Sequence, residues 1–311
     1  MIEIFLQILP FFALIALGYG SVLGGIFNDE ATAYLTKFVF YFALSAMLFR
    51  FSATLPIETL FDVNFGLAYL CGCLVVYAGL IVISLIRGNG WAISAVEGQC
   101  GIIGNVGFLG IPMLVSILGD AAAGPVLFVL AIDLIVFGSL LVLIITASRE
   151  GSVSAATVAR LGMSIVQNPM LMSMAAGLIW SSLNLPVAGA FDRFLTILGS
   201  AATPCALFAI GASLAGKSAD RPMAAAWLSF AKLFLHPLAV AIFALFVFEV
   251  EPFAAGVMIA AAAMPTAGNI FIVASHYGVA AVRVSSTILV STVGAVVTLT
   301  AVIGWVVARA G

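Results

Sequence analysis

Charge is what this chain has least of. Of its 311 residues, 11 are Lys or Arg, 13 are Asp or Glu and 2 are His, so 8% are charged against 64% hydrophobic. Soluble domains carry about a quarter of their residues as charges. A water-soluble globule is thereby excluded, and lipid must cover much of the surface. The net charge of −2 leaves no basic face for nucleic acid. Cysteine is scarce as well: Cys71, Cys73, Cys100 and Cys205 all fall in apolar stretches, which excludes a disulfide framework. Cys71-Gly-Cys73 lacks the two-residue gap and the His partners of a zinc site, so the four read as small core residues. Barrel-type alternation of polar and apolar residues is absent, leaving a helical bundle. There is no His pair of zinc-protease spacing, no serine nucleophile elbow and no aspartate dyad, and an enzyme is not expected. Met1-Ile2-Glu3 has no basic n-region and the first apolar run no small-residue cleavage site, so that run is expected to remain as a helix.

What the chain does have is long apolar runs. A spanning helix needs roughly 20 apolar residues, and ten segments are expected at 4–23, 31–49, 65–86, 91–118, 125–147, 168–184, 188–214, 225–248, 253–278 and 284–308. The fold class is thus an all-α membrane protein of ten transmembrane helices. The longest connection, 148–167, is polar and rich in small residues and divides the chain into 1–147 and 168–311. Five helices per half make the halves enter the membrane from opposite sides, so a shared fold would be an inverted repeat. Basic residues set the orientation. Arg87, Arg149, Arg160, Lys217, Arg221 and Arg283 lie in the loops after odd-numbered segments, against Arg50, Arg193 and Arg309 on the other side. Both termini are therefore expected outside and the odd-numbered loops in the cytoplasm of a cell whose plasma (inner) membrane holds the chain. Lys37 reads as a cytoplasmic anchor.

The fourth and ninth segments are broken at their middles by similar clusters: Gly-Ile-Ile-Gly-Asn-Val-Gly-Phe-Leu-Gly-Ile-Pro at 101–112 and Met-Pro-Thr-Ala-Gly-Asn at 264–269. Asn105 and Asn269 are 164 residues apart (269 − 105), as are the segment starts 4 and 168. Helix breakers at membrane depth mean unwound backbone lining a cavity, and a pair of such breaks points to a transporter's substrate site. The upstream half-helix ends in carbonyls of partial negative charge, the downstream half begins with N–H groups of partial positive charge. Anions dock on the second and cations on the first. Asn105 and Asn269 offer amide donors and acceptors there. Gly104, Gly107, Gly268 and Thr266 allow close approach of backbone and ligand, and Pro265 stops its helix from running through. The bland reading is that the glycines serve only helix packing. Asn-containing breaks in both halves favour a site.

Ionisable residues inside the segments are functional candidates because charge in lipid is costly. Asp133, among apolar neighbours, is the leading candidate to take a proton or help hold a cation; its alternative is a structural carboxylate pairing with Lys232. Lys232 and His236 share a helix face. Lys232 reads as a counter-ion to Asp133 or to substrate, or as a snorkelling side chain; His236, before Pro237, reads as a structural donor to an exposed carbonyl. Gln99 is expected to join the amide cluster, and Glu97 either contributes to a cation site or faces a water-filled vestibule. No bound cofactor is expected, only a coupling proton or Na+.

Gly-Asn-Val-Gly-Phe-Leu-Gly-Ile-Pro at 104–112 and Met-Pro-Thr-Ala-Gly-Asn-Ile-Phe at 264–271, followed by Ala274 and Tyr277-Gly278, resemble the fourth- and ninth-helix motifs of the auxin efflux carrier family. Lys232-Leu-Phe-Leu-His236-Pro237 and Leu35 to Phe49 extend the likeness, which runs along nearly the whole chain. That family includes bacterial carriers of malonate and related organic acids and the plant auxin exporters. The resemblance implies a fold similar to bile-acid sodium symporters and sodium/proton antiporters, with helices 1, 2, 6 and 7 as scaffold and helices 3–5 and 8–10 as a transport domain carrying the crossover. It also implies a small organic anion as substrate, elevator-like displacement of the transport domain, and a homodimer through the scaffold. A sodium-coupled symporter of a larger amphipathic anion is the alternative within the fold. Ser45 stands where many members have proline, so the second helix is expected to be straighter.

Overall fold

The computed structural model describes residues 2–54, 62–150, 155–215 and 222–310, and among them there are helices and turns but no strand, only one isolated bridge. Helix α1 is Ile2–Leu23. Helices α2 (Asp29–Phe38) and α3 (Leu44–Thr54) run on through a π turn at Val39–Ala43. Next come α4 (Val63–Ile86), α5 (Trp91–Ile102) and α6 (Ile111–Leu118), then α7 (Ala123–Ile132) and α8 (Gly138–Glu150), joined by a π turn. The second half holds α9 (Ala155–Val166), α10 (Pro169–Ser182), α11 (Gly189–Ser200), α12 (Ala202–Leu214), α13 (Pro222–Phe230) and α14 (His236–Ile242). It ends with α15 (Pro252–Ala262), α16 (Asn269–His276) and α17 (Ala281–Ala310). Local chemistry sets several starts: the side chains of Asn28, Asp62, Asn168 and Glu251 accept backbone N–H groups of the first turn, with Pro169 and Pro252 at the first helical position.

Seven helices among the described residues are long and apolar enough to cross a bilayer. The three expected segments that fall short do so for local reasons: the fourth and ninth are interrupted, and α10 has 14 residues. Three further expectations need correction or restriction. The connection 148–167 is not simply irregular, because residues 155–166 form α9. The expectation of a straighter second segment is restricted by a π turn at Val39–Ala43 just before Ser45, whose hydroxyl donates to the Phe40 carbonyl at 3.2 Å. Lys217 and Arg221, two of the six basic residues behind the orientation, lie outside the described residues.

Without a hydrophobic drive between helices in lipid, close approach through small residues holds a bundle together. Helix α1 packs on α12 where a Cβ on Gly18 would meet the Phe208 carbonyl oxygen at 2.0 Å and the Ala212 nitrogen at 3.0 Å. Helix α10 packs on α3 where a Cβ on Gly177 would meet the Phe49 oxygen at 2.5 Å and the Ala53 nitrogen at 3.0 Å. The two contacts are one pattern repeated, for 177 − 18, 208 − 49 and 212 − 53 are all 159. These four helices, with α2 packed on α12 and α11 packed on α3, form one cluster. The other is built from α4 to α8 and α13 to α17, with α5 and α15 buried at its centre.

Long-range side-chain hydrogen bonds respect that division. Arg50 of α3 pairs with Asp192 of α11 at 2.8 Å inside the first cluster. Tyr69, Cys73, Glu97, Arg149, Lys232, Thr266 and Arg283 all find their distant partners inside the second. The clusters touch where the Met170 methyl of α10 lies 2.7 Å from the place a Cβ on Gly107 would occupy.

Candidate functional site

The two interruptions meet. Ile103, Gly104 and Asn105 leave the helical path after α5, Ala263 to Gly268 leave it after α15, and the freed backbones pair with each other. Asn105 N–H donates to Pro265 O at 2.8 Å, Ala267 N–H to Ile103 O at 3.1 Å, and Gly104 and Thr266 form an antiparallel bridge. Each break thus satisfies donors and acceptors that the other exposes, which is how irregular backbone survives at depth. Gly104 has no room for a side chain: a Cβ would lie 3.1 Å from Ala261 O, 3.1 Å from the Met264 Cβ and 3.3 Å from Lys232 Nζ. Its role here is to let two chains cross. Gly107 likewise faces Met170 rather than open space, whereas a Cβ on Gly268 would have nothing within 4 Å of it.

The carbonyl ends of the two upstream half-helices are satisfied differently. Cys100 O of α5 accepts from the Thr266 hydroxyl at 2.9 Å, and Thr266 N–H donates to Ser291 Oγ of α17 at 3.1 Å. Ala262 O, at the end of α15, accepts from the ammonium of Lys232. That side chain is fully buried, so it does not snorkel; its amine sits at the carbonyl end of a half-helix, where the partial charge is negative. His236 Nδ1 lies 3.0 Å from Lys232 Nζ and 3.1 Å from Ala262 O, accepting from the first or donating to the second according to its tautomer. Its Nε2 is 3.1 Å from Cys73 Sγ, so Cys73 is more than core filling.

Asp133 and Lys232 are not ion-paired among the described residues. Tyr69, one turn before Cys73 on α4, donates its hydroxyl to Asp133 Oδ1 at 2.8 Å, and Asp133 Oδ2 is buried with no hydrogen-bond partner. Glu97, expected to contribute to a cation site or to face a water-filled vestibule, forms an ion pair between α5 and α17 with Arg283, which also reaches Asn89. Gln99 is buried with its Oε1 unpartnered.

The amide residues differ in exposure. Asn105 is buried, while Gly268 and Asn269 are exposed at the start of α16. In the first turn of α16 the N–H of Phe271 donates to Gly268 O at 3.1 Å, and the N–H groups of Asn269 and Ile270 precede the helical ladder. Ile272 and His276 continue the same open stripe, and Ala274 turns to the core. The start of α16 is therefore exposed at Gly268 and Asn269, with open space around Gly268. Residues missed in the sequence are Tyr69, Cys73, Met170, Arg283 and Ser291. Only the spacing of Tyr69 and Cys73, four apart on one helix face, signalled any of them.

The family model described as "Membrane transport protein" matches residues 3–303. A protein of Rhizobium meliloti (strain 1021) described as "Putative malonate transporter" is 32% identical over 304 residues, covering 96% of this chain and 95% of its own. With the crossing of two interrupted helices at its centre, the chain belongs to this membrane transport protein family, the auxin efflux carriers that its motifs resemble, and is a transporter rather than an enzyme.

Proposed function

We propose that the chain is a secondary active carrier of small organic anions, dicarboxylates such as malonate foremost, which bind at the start of α16 beside the crossover. The observation that carries this reading is the mutual bonding of the two breaks, which presents the N–H end of an open half-helix and the Asn269 amide at a site needing no buried arginine. The name of the Rhizobium relative supports malonate as the first compound to try. Gln99 and Asn105, with Thr266 and Pro265 holding the backbone, would shape the inner wall.

Movement would be elevator-like, with the cluster of α4 to α8 and α13 to α17 sliding against the cluster of α1 to α3 and α10 to α12. That the long-range bonds of Arg50, Tyr69, Glu97 and Lys232 each stay within one cluster supports this, because a contact that shares few polar bonds slides without leaving buried groups unpaired. The 159-residue repeat of the glycine contacts supports two inverted five-helix halves, and hence ten spans. A homodimer through the first cluster, in the plasma membrane with both termini outside, completes the proposal.

Coupling would use a proton rather than Na+. Lys232 already occupies the carbonyl end of α15, where a cation would dock, and Asp133 with Tyr69, Cys73 and His236 forms a buried polar group suited to proton exchange. The sodium-symporter reading loses support for the same reason. Counterflow in proteoliposomes tests the whole: labelled malonate should exchange for unlabelled, whereas a channel gives no trans-stimulation and an enzyme alters the compound.

A further inference from the structure

Two cavities lie one above the other on the outer face of the second cluster, along the seam between α4 and the run of α13 and α14. The lower one, about 280 Å³, is an apolar groove walled by Val75, Gly79 and Ile83 on one side and Trp227, Leu238 and Ile242 on the other. The upper one, about 350 Å³, is polar and is lined by Arg87, Asn89, Arg283 and the start of α13 at Pro222 and Met223. One helical turn separates them on both walls, Ile83 from Arg87 and Met223 from Trp227.

The groove has a floor because Gly79 is exposed and nothing lies within 4 Å of where its Cβ would be. Its far end is closed where α4 and α14 touch, a Cβ on Gly72 meeting Val240 Cα at 2.8 Å. From Val75 to Arg87 the seam runs roughly 18 Å at about 1.5 Å per residue, about the depth of one leaflet. Around the basin Ile86, Trp91, Met223 and Val282 are exposed apolar side chains, which sets the guanidinium groups at the level where hydrocarbon meets headgroups. Arg283 is neutralised by Glu97, but Arg87 is exposed and has no ion-pair partner among the described residues.

We propose that this seam is a binding site for an anionic phospholipid, its headgroup phosphate on Arg87 beside Arg283 and one acyl chain in the groove over Gly79. The site lies away from the crossover and does not depend on the substrate reading above.

Native mass spectrometry of the purified full chain tests it, with phosphatidylglycerol and phosphatidylcholine of identical acyl chains. Wild type should retain phosphatidylglycerol in preference. Arg87→Ala should weaken that lipid about fivefold, the worth of one basic residue near an anionic surface, and leave phosphatidylcholine unchanged. Gly79→Leu, which fills the groove at an exposed position, should weaken both. Equal retention of the two lipids by wild type, or indifference to both substitutions, overturns the proposal. Displacement of phosphatidylglycerol by millimolar inorganic phosphate also overturns it, since the basin would then be a site for soluble anions.

Discussion

The backbone N–H of Asn105 donates to the carbonyl oxygen of Pro265 at 2.8 Å, tying the break in one half of the chain to the break in the other. A substitution in either break is therefore felt at both, and the consequences divide by the space each residue has.

Gly104→Ala should lower the melting temperature, because its methyl would press on Ala261 O, Met264 and Lys232 at 3.1 to 3.3 Å; overpacking of this kind costs about 1–3 kcal/mol. Gly268→Ala should leave stability unchanged, having open space around it. Thermal unfolding in detergent checks the pair, and equal melting points would refute the crossing as described.

Asn269→Ala should weaken malonate binding about tenfold or more while the protein inserts and purifies normally, since a hydrogen bond to a charged group is worth about 1.5–3 kcal/mol. Asn105→Ala should have a similar effect. Ligand-induced thermal shift measures both; wild-type affinity in the two variants would remove the amides from the site.

Uptake by wild type should be the same in sodium and in choline buffer, because Lys232 fills the cation end of α15. Lys232→Met should abolish transport, because it removes the amine that holds the carbonyl end of α15, while His236 Nδ1 can still donate to Ala262 O and limit the loss of stability. Sodium-stimulated uptake by wild type would contradict the ammonium's role.

Asp133→Asn should flatten the dependence of transport on pH, as it removes the carboxylate that would take the proton. Tyr69→Phe, which leaves both Asp133 oxygens without the hydroxyl donor, should shift that profile without abolishing it. Uptake across a pH series in proteoliposomes decides, and an unchanged profile in Asp133→Asn leaves the residue structural.

Cysteines introduced together at Gly107 and Met170 should, when joined by a short reversible bis-thiosulfonate, arrest transport, and reductant should restore it. The two positions belong to different clusters and touch, so a carrier that still turned over when joined would not slide there.

Much of this was legible in the residues. Breaks at 103–105 and 263–268 follow from glycine, proline and asparagine placed where an apolar helix would otherwise run on. Apart from α9, which lies in the expected connection, the helices fall within a few residues of the expected segments. Partnerships were not legible, because they join positions far apart in the chain: Glu97 to Arg283, Asp133 to Tyr69 rather than Lys232, and Cys73 to His236. The π turn before Ser45 escaped notice too, since an extra residue in a helical turn leaves no compositional mark.

The amino-acid sequence by itself determined that this is a membrane-embedded helical protein with two interrupted segments, because bilayer thickness and backbone hydrogen bonding leave apolar helices few alternatives. Only the tertiary structure decided what the interruptions do to each other and which charges neutralise which. Those outcomes depend on how helices cross, and crossings are fixed by close packing at residues such as Gly18, Gly104 and Gly177, whose partners lie in the other half of the chain.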